Sequence, residues 1–220
     1  MQKKSSFLEI LIWGMALVPL AYLFIVWEQL PDRVPIHFNY KGEADDWGSK
    51  NFLAGLILFI TVGLNLLLLA IPTIDPKDKI AHMGSKYHQL RFMMALFMAA
   101  LAVFIVYSAK AGSLESSNFV NVLVGALFIS FGNYFQALKP NYFIGIRTPW
   151  TLESETVWRK THRMGGRLWI AGGVVMCLSA LLQNPLVRLV IFLATVAIVV
   201  LIPAIYSFLE QRKERQQAAR

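Results

Sequence analysis

The feature that most constrains this chain is its series of long apolar segments. A helix that spans a bilayer needs roughly 17–25 mostly apolar residues, and six segments meet that requirement. Hydrophobic residues make up 56% of the 220 residues and charged residues 15%, below the ~25% of soluble domains. The sequence therefore predicts an all-α fold, a polytopic integral membrane helix bundle of about six transmembrane helices. The segments lie at about 8–27, 51–71, 92–110, 119–138, 167–183 and 186–209.

The distribution of basic residues predicts how these helices are oriented. Both termini and the loops 72–91 and 139–166 are rich in Lys and Arg, whereas the loop 28–50 carries three basic and five acidic residues. Because cytoplasmic segments of membrane proteins are enriched in basic residues, we expect both termini inside and loop 28–50 outside. The same rule accounts for the net charge of +8, so we expect no direct binding of nucleic acid.

Two membrane regions are expected along the chain. An N-terminal region, 1–91, contains the outer loop 28–50, and a C-terminal region, 92–220, contains the inner loop 139–166. In each half, one span is followed by a long loop, the first facing out and the second facing in. That order would follow from an inverted duplication of three spans, although no residue-level repeat accompanies it.

The outer loop has the composition of a structured element. Pro31 and Pro35 disfavour a helix at its start, and Gly42 can adopt the positive φ of a turn. Three interpretations stay open: a solvated acidic turn, a hard-ligand metal site, and an acidic patch for a cationic or amphipathic peptide. The spacing matches no established metal motif, so no metal site is predicted. The candidate ligand-facing residues are His37, Asn39, Glu43, Asp45, Asp46 and Trp47.

The inner loop encodes a short amphipathic helix on the inner surface. Thr148 suits the N-cap and Pro149 the first helical position, while Gly165 is expected to end the helix. The helix either lies among lipid headgroups or forms a docking surface for a cytosolic partner. His162 is expected to be a surface histidine. The candidate docking residues are Asn141, Arg147, Thr148, Pro149, Trp150, Trp158 and His162.

The sequence lacks the common catalytic motifs. It contains no H-E-x-x-H, no G-x-S-x-G and no phosphate-binding glycine loop. We therefore expect a protein that is not an enzyme and needs no cofactor. Two alternatives remain: a transporter with a polar cavity near Asn65, Asn121 or Asn133, and a membrane metalloenzyme that uses His37 and the carboxylates of the outer loop.

Two blocks of residues resemble the SdpI family, whose members are immunity proteins against a sporulation-delaying toxin peptide. The first block is Pro31, Pro35, His37, Phe38, Asn39, Gly42, Asp45, Trp47, Gly48 and Lys50. The second is Asn141, Gly145, Ile146, Arg147, Thr148, Pro149, Trp150, Thr151, Leu152, Trp158, Thr161 and His162.

The resemblance implies a multi-pass protein of the bacterial plasma membrane that protects its producer from a secreted toxic peptide. It also implies a receptor role, in which the toxin-engaged protein captures a cytosolic repressor at the membrane. The partners implied are membrane lipid, the secreted peptide toxin and that repressor.

Overall fold

The structure is a computed structural model that describes residues 2–113 and 117–218, with side chains for 7–113 and 118–218. Two strands, β1 (Arg33–Phe38) and β2 (Ala44–Ser49), pair in antiparallel orientation within the predicted outer loop. The helices formed by the described residues are α1 Gln2–Val26, α2 Lys50–Leu58, α3 Leu64–Ile74, α4 Ser85–Ala111, α5 Ser117–Phe135, α6 Pro149–Glu153, α7 Glu155–Ser179 and α8 Pro185–Ala218.

The fold is that of a polytopic helical membrane protein, as the apolar segments predict. Within the described part of the chain, five helical segments have the length and composition to cross a membrane. They are Phe7–Gln29, Lys50–Ile74, Ser85–Ala111, Asn118–Phe135 and Pro185–Ala218. The predicted span 167–183 is not among them. Most of it forms the second half of α7, and that helix also carries the polar residues that precede the span.

The span Lys50–Ile74 is one continuous helix that is interrupted at its centre by a π-helical segment. It consists of α2, a π-helical segment at Phe59–Gly63 and α3. The Thr61 hydroxyl donates to the Ile57 carbonyl at 2.7 Å within this segment. Pro72 lies inside α3, so the helix continues three residues beyond the predicted segment 51–71 and ends at Ile74.

The chain divides into two compact units, each with its own apolar core. One unit comprises Met1–Ile74 and Met83–Leu123, and the other comprises Asp75–His82 and Val124–Arg220. The core of the first unit includes Leu23, Val26, Leu30, Val34, Leu53, Ile57, Ala102 and Val106. The core of the second unit includes Phe128, Met176 and Val199.

Glycines bring α5 and α7 into backbone contact in the second unit. A Cβ added at Gly132 would lie 2.5 Å from the Gly166 carbonyl oxygen, and one added at Gly125 would lie 2.7 Å from that of Gly173. Small residues permit this approach between membrane helices. The predicted helix end at Gly165 is therefore wrong: α7 continues to Ser179, and the adjacent Gly166 serves packing rather than a C-cap.

Candidate functional sites

The tip of the hairpin is organised by one asparagine. The Asn39 side-chain oxygen accepts from the backbone N–H of Lys41 at 2.9 Å and of Glu43 at 3.2 Å. Its amide nitrogen donates to the Glu43 carboxylate at 2.9 Å. Gly42 adopts a φ of +86°, as a turn of this kind requires. Asn39 is therefore a turn-forming residue, and the sequence placed the turn correctly.

The base of the hairpin is tied to the helices on either side of it. Lys50 forms an ion pair with Asp32 at 3.4 Å, and its ammonium lies 5.2 Å from the centre of the Trp27 ring. The Ser49 hydroxyl caps α2 by accepting from the Phe52 N–H at 3.1 Å. These contacts hold the hairpin in a defined position above the ends of α1 and α2.

The remaining candidate residues of the hairpin are exposed to solvent. His37 Nδ1 lies 2.5 Å from Asp45 Oδ1, and their side chains are 67% and 43% exposed. Asp46 accepts from the backbone N–H of Trp47 at 2.8 Å, and Trp47 is 43% exposed. Nowhere among the described residues do three or more His, Cys, Asp or Glu side chains gather to hold a metal ion.

An apolar groove of about 210 Å³ lies beside the hairpin in the first unit. Side chains of β1, α2 and α4 form most of its wall, together with Val120 of α5. Among the described residues that line it, Ser108 contributes the one polar side chain. The strand β1 thus lines part of an apolar groove, and its partner strand β2 carries exposed carboxylates.

Asn141 organises the start of the inner segment. Its side-chain oxygen accepts from the N–H groups of Phe143 at 2.9 Å and Ile144 at 2.7 Å. Its amide nitrogen donates to the carbonyls of Lys139 at 3.0 Å and Ile144 at 3.1 Å. The residue is 2% exposed, so its role here is to hold the loop in shape.

Thr148 and Pro149 begin a helix as predicted. The Thr148 hydroxyl accepts from the Thr151 N–H at 3.2 Å, the Thr151 hydroxyl accepts from the Thr148 N–H at 2.9 Å, and Pro149 occupies the first turn. Thr148 also lies 2.9 Å from the Ser207 hydroxyl of α8. The helix itself, α6, ends at Glu153, and Ser154 starts α7 with a cap of its own.

Trp158 and His162 form a buried stack, which corrects the expectation of a surface histidine. Their rings lie 4.0 Å apart, and the side chains are 0% and 2% exposed. Trp158 Nε1 donates to the Leu138 carbonyl at 2.9 Å. His162 Nε2 lies 3.0 Å from the Ile146 N–H and therefore accepts, while Nδ1, 2.9 Å from the Trp158 carbonyl, donates.

Burial of this stack has a clear electrostatic effect. It lowers the pKa of His162 to about 4, against a smaller opposing contribution from the hydrogen bond to the Trp158 carbonyl. His162 is thus neutral at physiological pH. Its close neighbour is Gly145, whose φ is +113° and whose added Cβ would lie 2.5 Å from Nε2.

Only part of the inner motif remains on the surface. Arg147 is exposed and donates to the Tyr142 carbonyl. Trp150 is half-buried and packs on Phe208, with ring centres 5.1 Å apart. Lys77 donates to the Tyr142 hydroxyl at 2.8 Å, and this bond lowers the pKa of that phenol.

One polar cluster was not anticipated from the sequence. Arg91 of α4 is 2% exposed and contacts Glu9 of α1 and the Asn65 side-chain oxygen, the latter at 3.1 Å. The available signal was two opposite charges, one at the edge of each of two apolar segments. Asn65, a candidate for a transport cavity, is instead 4% exposed and bound to Arg91.

Comparisons with known proteins place both sites within recognised regions. Residues 137–207 match the model of the SdpI/YfhL protein family, and residues 14–62 match a domain of unknown function, DUF1648. The chain is 25% identical over 202 residues to the immunity protein SdpI of Bacillus subtilis (strain 168), covering 90% of this chain and 94% of that protein. No solved structure matches the chain. The expected resemblance is therefore confirmed: this multi-pass membrane protein is similar to the SdpI/YfhL family over residues 137–207 and to the Bacillus subtilis immunity protein over most of its length.

Proposed function

We propose that this protein is a membrane immunity protein that protects its producer from a secreted toxic peptide. Its relative in Bacillus subtilis carries the name of an immunity protein and aligns with nearly the whole chain. The proposal does not require catalysis, and it assigns recognition of the peptide to the outer hairpin and the groove beside it.

The observation that carries the proposal is the pairing of charge and apolar surface at the hairpin. Loop 28–50 holds five acidic and three basic residues, and Lys50 is already paired with Asp32. Asp45, which contacts His37, and Asp46 are exposed on β2, and β2 pairs with the strand β1 that lines part of the 210 Å³ apolar groove. A cationic, amphipathic peptide would place its basic side chains on the carboxylates and an apolar side chain in the groove.

A toxin challenge tests this proposal. A strain that lacks the gene is complemented with the wild type or with Asp45→Asn/Asp46→Asn, and survival is measured against the peptide secreted by the producing strain. We expect cells that express the double variant to be killed at a roughly tenfold lower toxin concentration than cells with the wild type, because two attractive charges are lost. Added salt should reduce the wild-type advantage, because exposed charges are screened.

The matched control removes two acidic charges from the side predicted to be cytoplasmic. Asp78→Asn/Glu155→Gln should leave protection unchanged, with both proteins present at equal amounts in the membrane. Equal sensitivity of the deletion strain and its parent would refute the immunity role. Full protection by the Asp45/Asp46 variant would refute the assignment of recognition to the hairpin.

We propose, further, that the exposed part of the inner motif docks a cytosolic repressor. Asn141, Trp158 and His162 are buried, so the surface that a partner could contact is formed by Arg147, Leu152 and their exposed neighbours. Leu152 is 39% exposed although it is apolar. An exposed arginine and an exposed apolar side chain in the same segment support contact with an acidic, partly apolar protein surface.

A reporter driven by the promoter of this gene tests the docking role. We expect toxin to induce the reporter in wild-type cells, and Arg147→Glu to abolish that induction while protection against toxin persists. Arg212→Glu, an equal charge reversal on α8, should preserve both. Induction that survives Arg147→Glu would exclude this surface.

A further inference from the structure

Three arginines of α7 form an exposed stripe. Arg159, Arg163 and Arg167 follow one another at four-residue intervals, so they share one face and rise about 6 Å per step. All three are exposed. None of the three guanidinium groups forms a hydrogen bond or an ion pair with the part of the chain whose side chains are described, 7–113 and 118–218.

The stripe lines a groove of about 910 Å³ between α7 and α8. The acidic residue of this groove, Glu210, is already neutralised: Lys160 lies 2.7 Å from its carboxylate and Lys213 lies 2.8 Å from it. The hydrogen bond to Glu210 also raises the pKa of Lys160. The charge of the three arginines therefore has no counterpart within the groove.

The groove changes character along α7. Its wall next to Arg163 and Arg167 continues with Leu168 and Ala171, which belong to the segment 167–183 that the sequence predicts to enter the bilayer. The groove is thus cationic at one end and apolar at the other. The change occurs at the level where α7 is predicted to pass the headgroup region of the inner leaflet.

We propose that this groove binds an anionic phospholipid. The phosphate would accept hydrogen bonds from the guanidinium groups of Arg163 and its neighbours, because the planar donors of arginine match phosphate oxygens in pairs. An acyl chain would lie along Leu168 and Ala171. Anionic lipid is concentrated in the cytoplasmic leaflet, where basic groups are attracted to it. A soluble acidic partner would use the charge but leave the apolar wall uncovered. This proposal does not rest on the immunity function.

Lipid retention by the purified full chain tests the proposal. The protein is reconstituted in nanodiscs of phosphatidylcholine and phosphatidylglycerol, extracted into mild detergent and examined by native mass spectrometry. We expect the wild type to retain phosphatidylglycerol in preference to phosphatidylcholine. Arg159→Gln/Arg163→Gln/Arg167→Gln should reduce that preference by roughly tenfold or more, given the attraction per basic residue near anionic lipid.

A matched control separates a built site from diffuse charge. Lys79→Gln/Lys139→Gln/Arg212→Gln removes the same number of positive charges from exposed positions elsewhere and should retain the preference. Thermal unfolding in detergent should show both triple variants to be folded. An unchanged preference in the arginine variant, or an equal loss in the control, would overturn the proposal.

Two further arms distinguish a lipid from other anions. Ala171→Trp fills the apolar wall and leaves the arginines intact, so we expect it to lower phosphatidylglycerol retention. Millimolar inorganic phosphate and polyglutamate should fail to displace the lipid from the wild type. Displacement by phosphate would identify a free-anion site, displacement by polyglutamate an acidic-protein site, and either result would overturn the assignment to lipid.

Discussion

Arg91 and Glu9 form a two-point ion pair between α4 and α1 although 82 residues separate them. Nη1 lies 2.5 Å from Oε1 and Nη2 lies 3.1 Å from Oε2. The Arg91 side chain is 3% exposed, and Asn65 provides a further acceptor at 3.1 Å. The Glu9 side chain is 28% exposed and also lies 3.4 Å from His88 Nε2, so the arginine is the more deeply buried partner of the pair.

Removing one partner of this pair should strongly destabilise the first unit. Arg91→Gln removes the arginine from a Glu9 carboxylate whose side chain is 28% exposed and lies 3.4 Å from His88, so the cost should be below the about 3–5 kcal/mol of a fully buried pair. We expect a clearly lower midpoint of thermal unfolding in detergent micelles. Glu9→Gln/Arg91→Gln should unfold at a higher temperature than Arg91→Gln alone, because no buried charge is left unpaired. Lys79→Gln, at an exposed site, is the control. Equal unfolding midpoints of Arg91→Gln and Lys79→Gln would contradict this account.

Gly145 should tolerate no side chain. Its φ of +113° disfavours any L-residue, and an added methyl would lie 2.5 Å from His162 Nε2. We expect Gly145→Ala to lower the free energy of unfolding by about 1–3 kcal/mol through overpacking and by a similar amount through backbone strain. The measurement is the thermal midpoint together with the yield of folded protein. Gly14→Ala is the control, because a Cβ there meets nothing within 4 Å; equal behaviour of the two variants would argue against the crowding.

Stability should fall as the pH is lowered through the range set by His162. Its pKa is about 4 in the folded protein and 6.5 ordinarily. The unfolded chain therefore binds the proton first, so stability is complete above the ordinary value and declines towards the folded one. The loss at pH 5 is on the order of 1–2 kcal/mol.

The thermal unfolding midpoint, measured in a series of buffers from pH 7.5 to 4.5 at steps of roughly half a pH unit, reports this loss. His162→Gln should lower the midpoint at neutral pH and flatten its decline with acid. His82→Gln removes an exposed histidine and should leave the slope unchanged. A wild-type slope that persists in His162→Gln would assign the pH dependence to another group.

The glycine contact between α5 and α7 should also be sensitive to volume. Gly166→Leu forces a side chain against the Gly132 carbonyl oxygen, which would lie 2.6 Å from its Cβ. Separating the helices loses packing on both sides, and we expect about 1–3 kcal/mol of destabilisation or more. Gly55→Leu on α2, where a Cβ meets nothing within 4 Å, is the matched control. Similar unfolding midpoints would show that the helices separate without cost.

Local signals in the sequence predicted local structure well. The apolar segments became helices, the Gly42 turn became the tip of a hairpin, and Thr148 and Pro149 began a helix as capping residues do. Each of these outcomes depends on interactions within a few residues along the chain. Of the two-stranded hairpin, the sequence indicated the turn at Gly42 but not the pairing of β1 with β2.

Three errors share one cause. His162 was expected at the surface, Gly165 was expected to end a helix, and Arg91 was counted as a loop charge. In the structure His162 packs against Phe135 and accepts from the Ile146 N–H, α7 runs through glycines that contact α5, and Arg91 is buried against Glu9. Each depends on a neighbour from a distant part of the chain, and no periodicity or cap residue reports such a neighbour.

The sequence by itself determined that this is a helical membrane protein and which residues begin and turn several of its elements. It could do so because hydropathy, charge and backbone preference act locally. Only the tertiary structure decided which motif residues are buried and which remain free to bind. Trp158 is enclosed while Arg147 and the arginine stripe of α7 are exposed, because burial is set by packing between helices far apart in sequence.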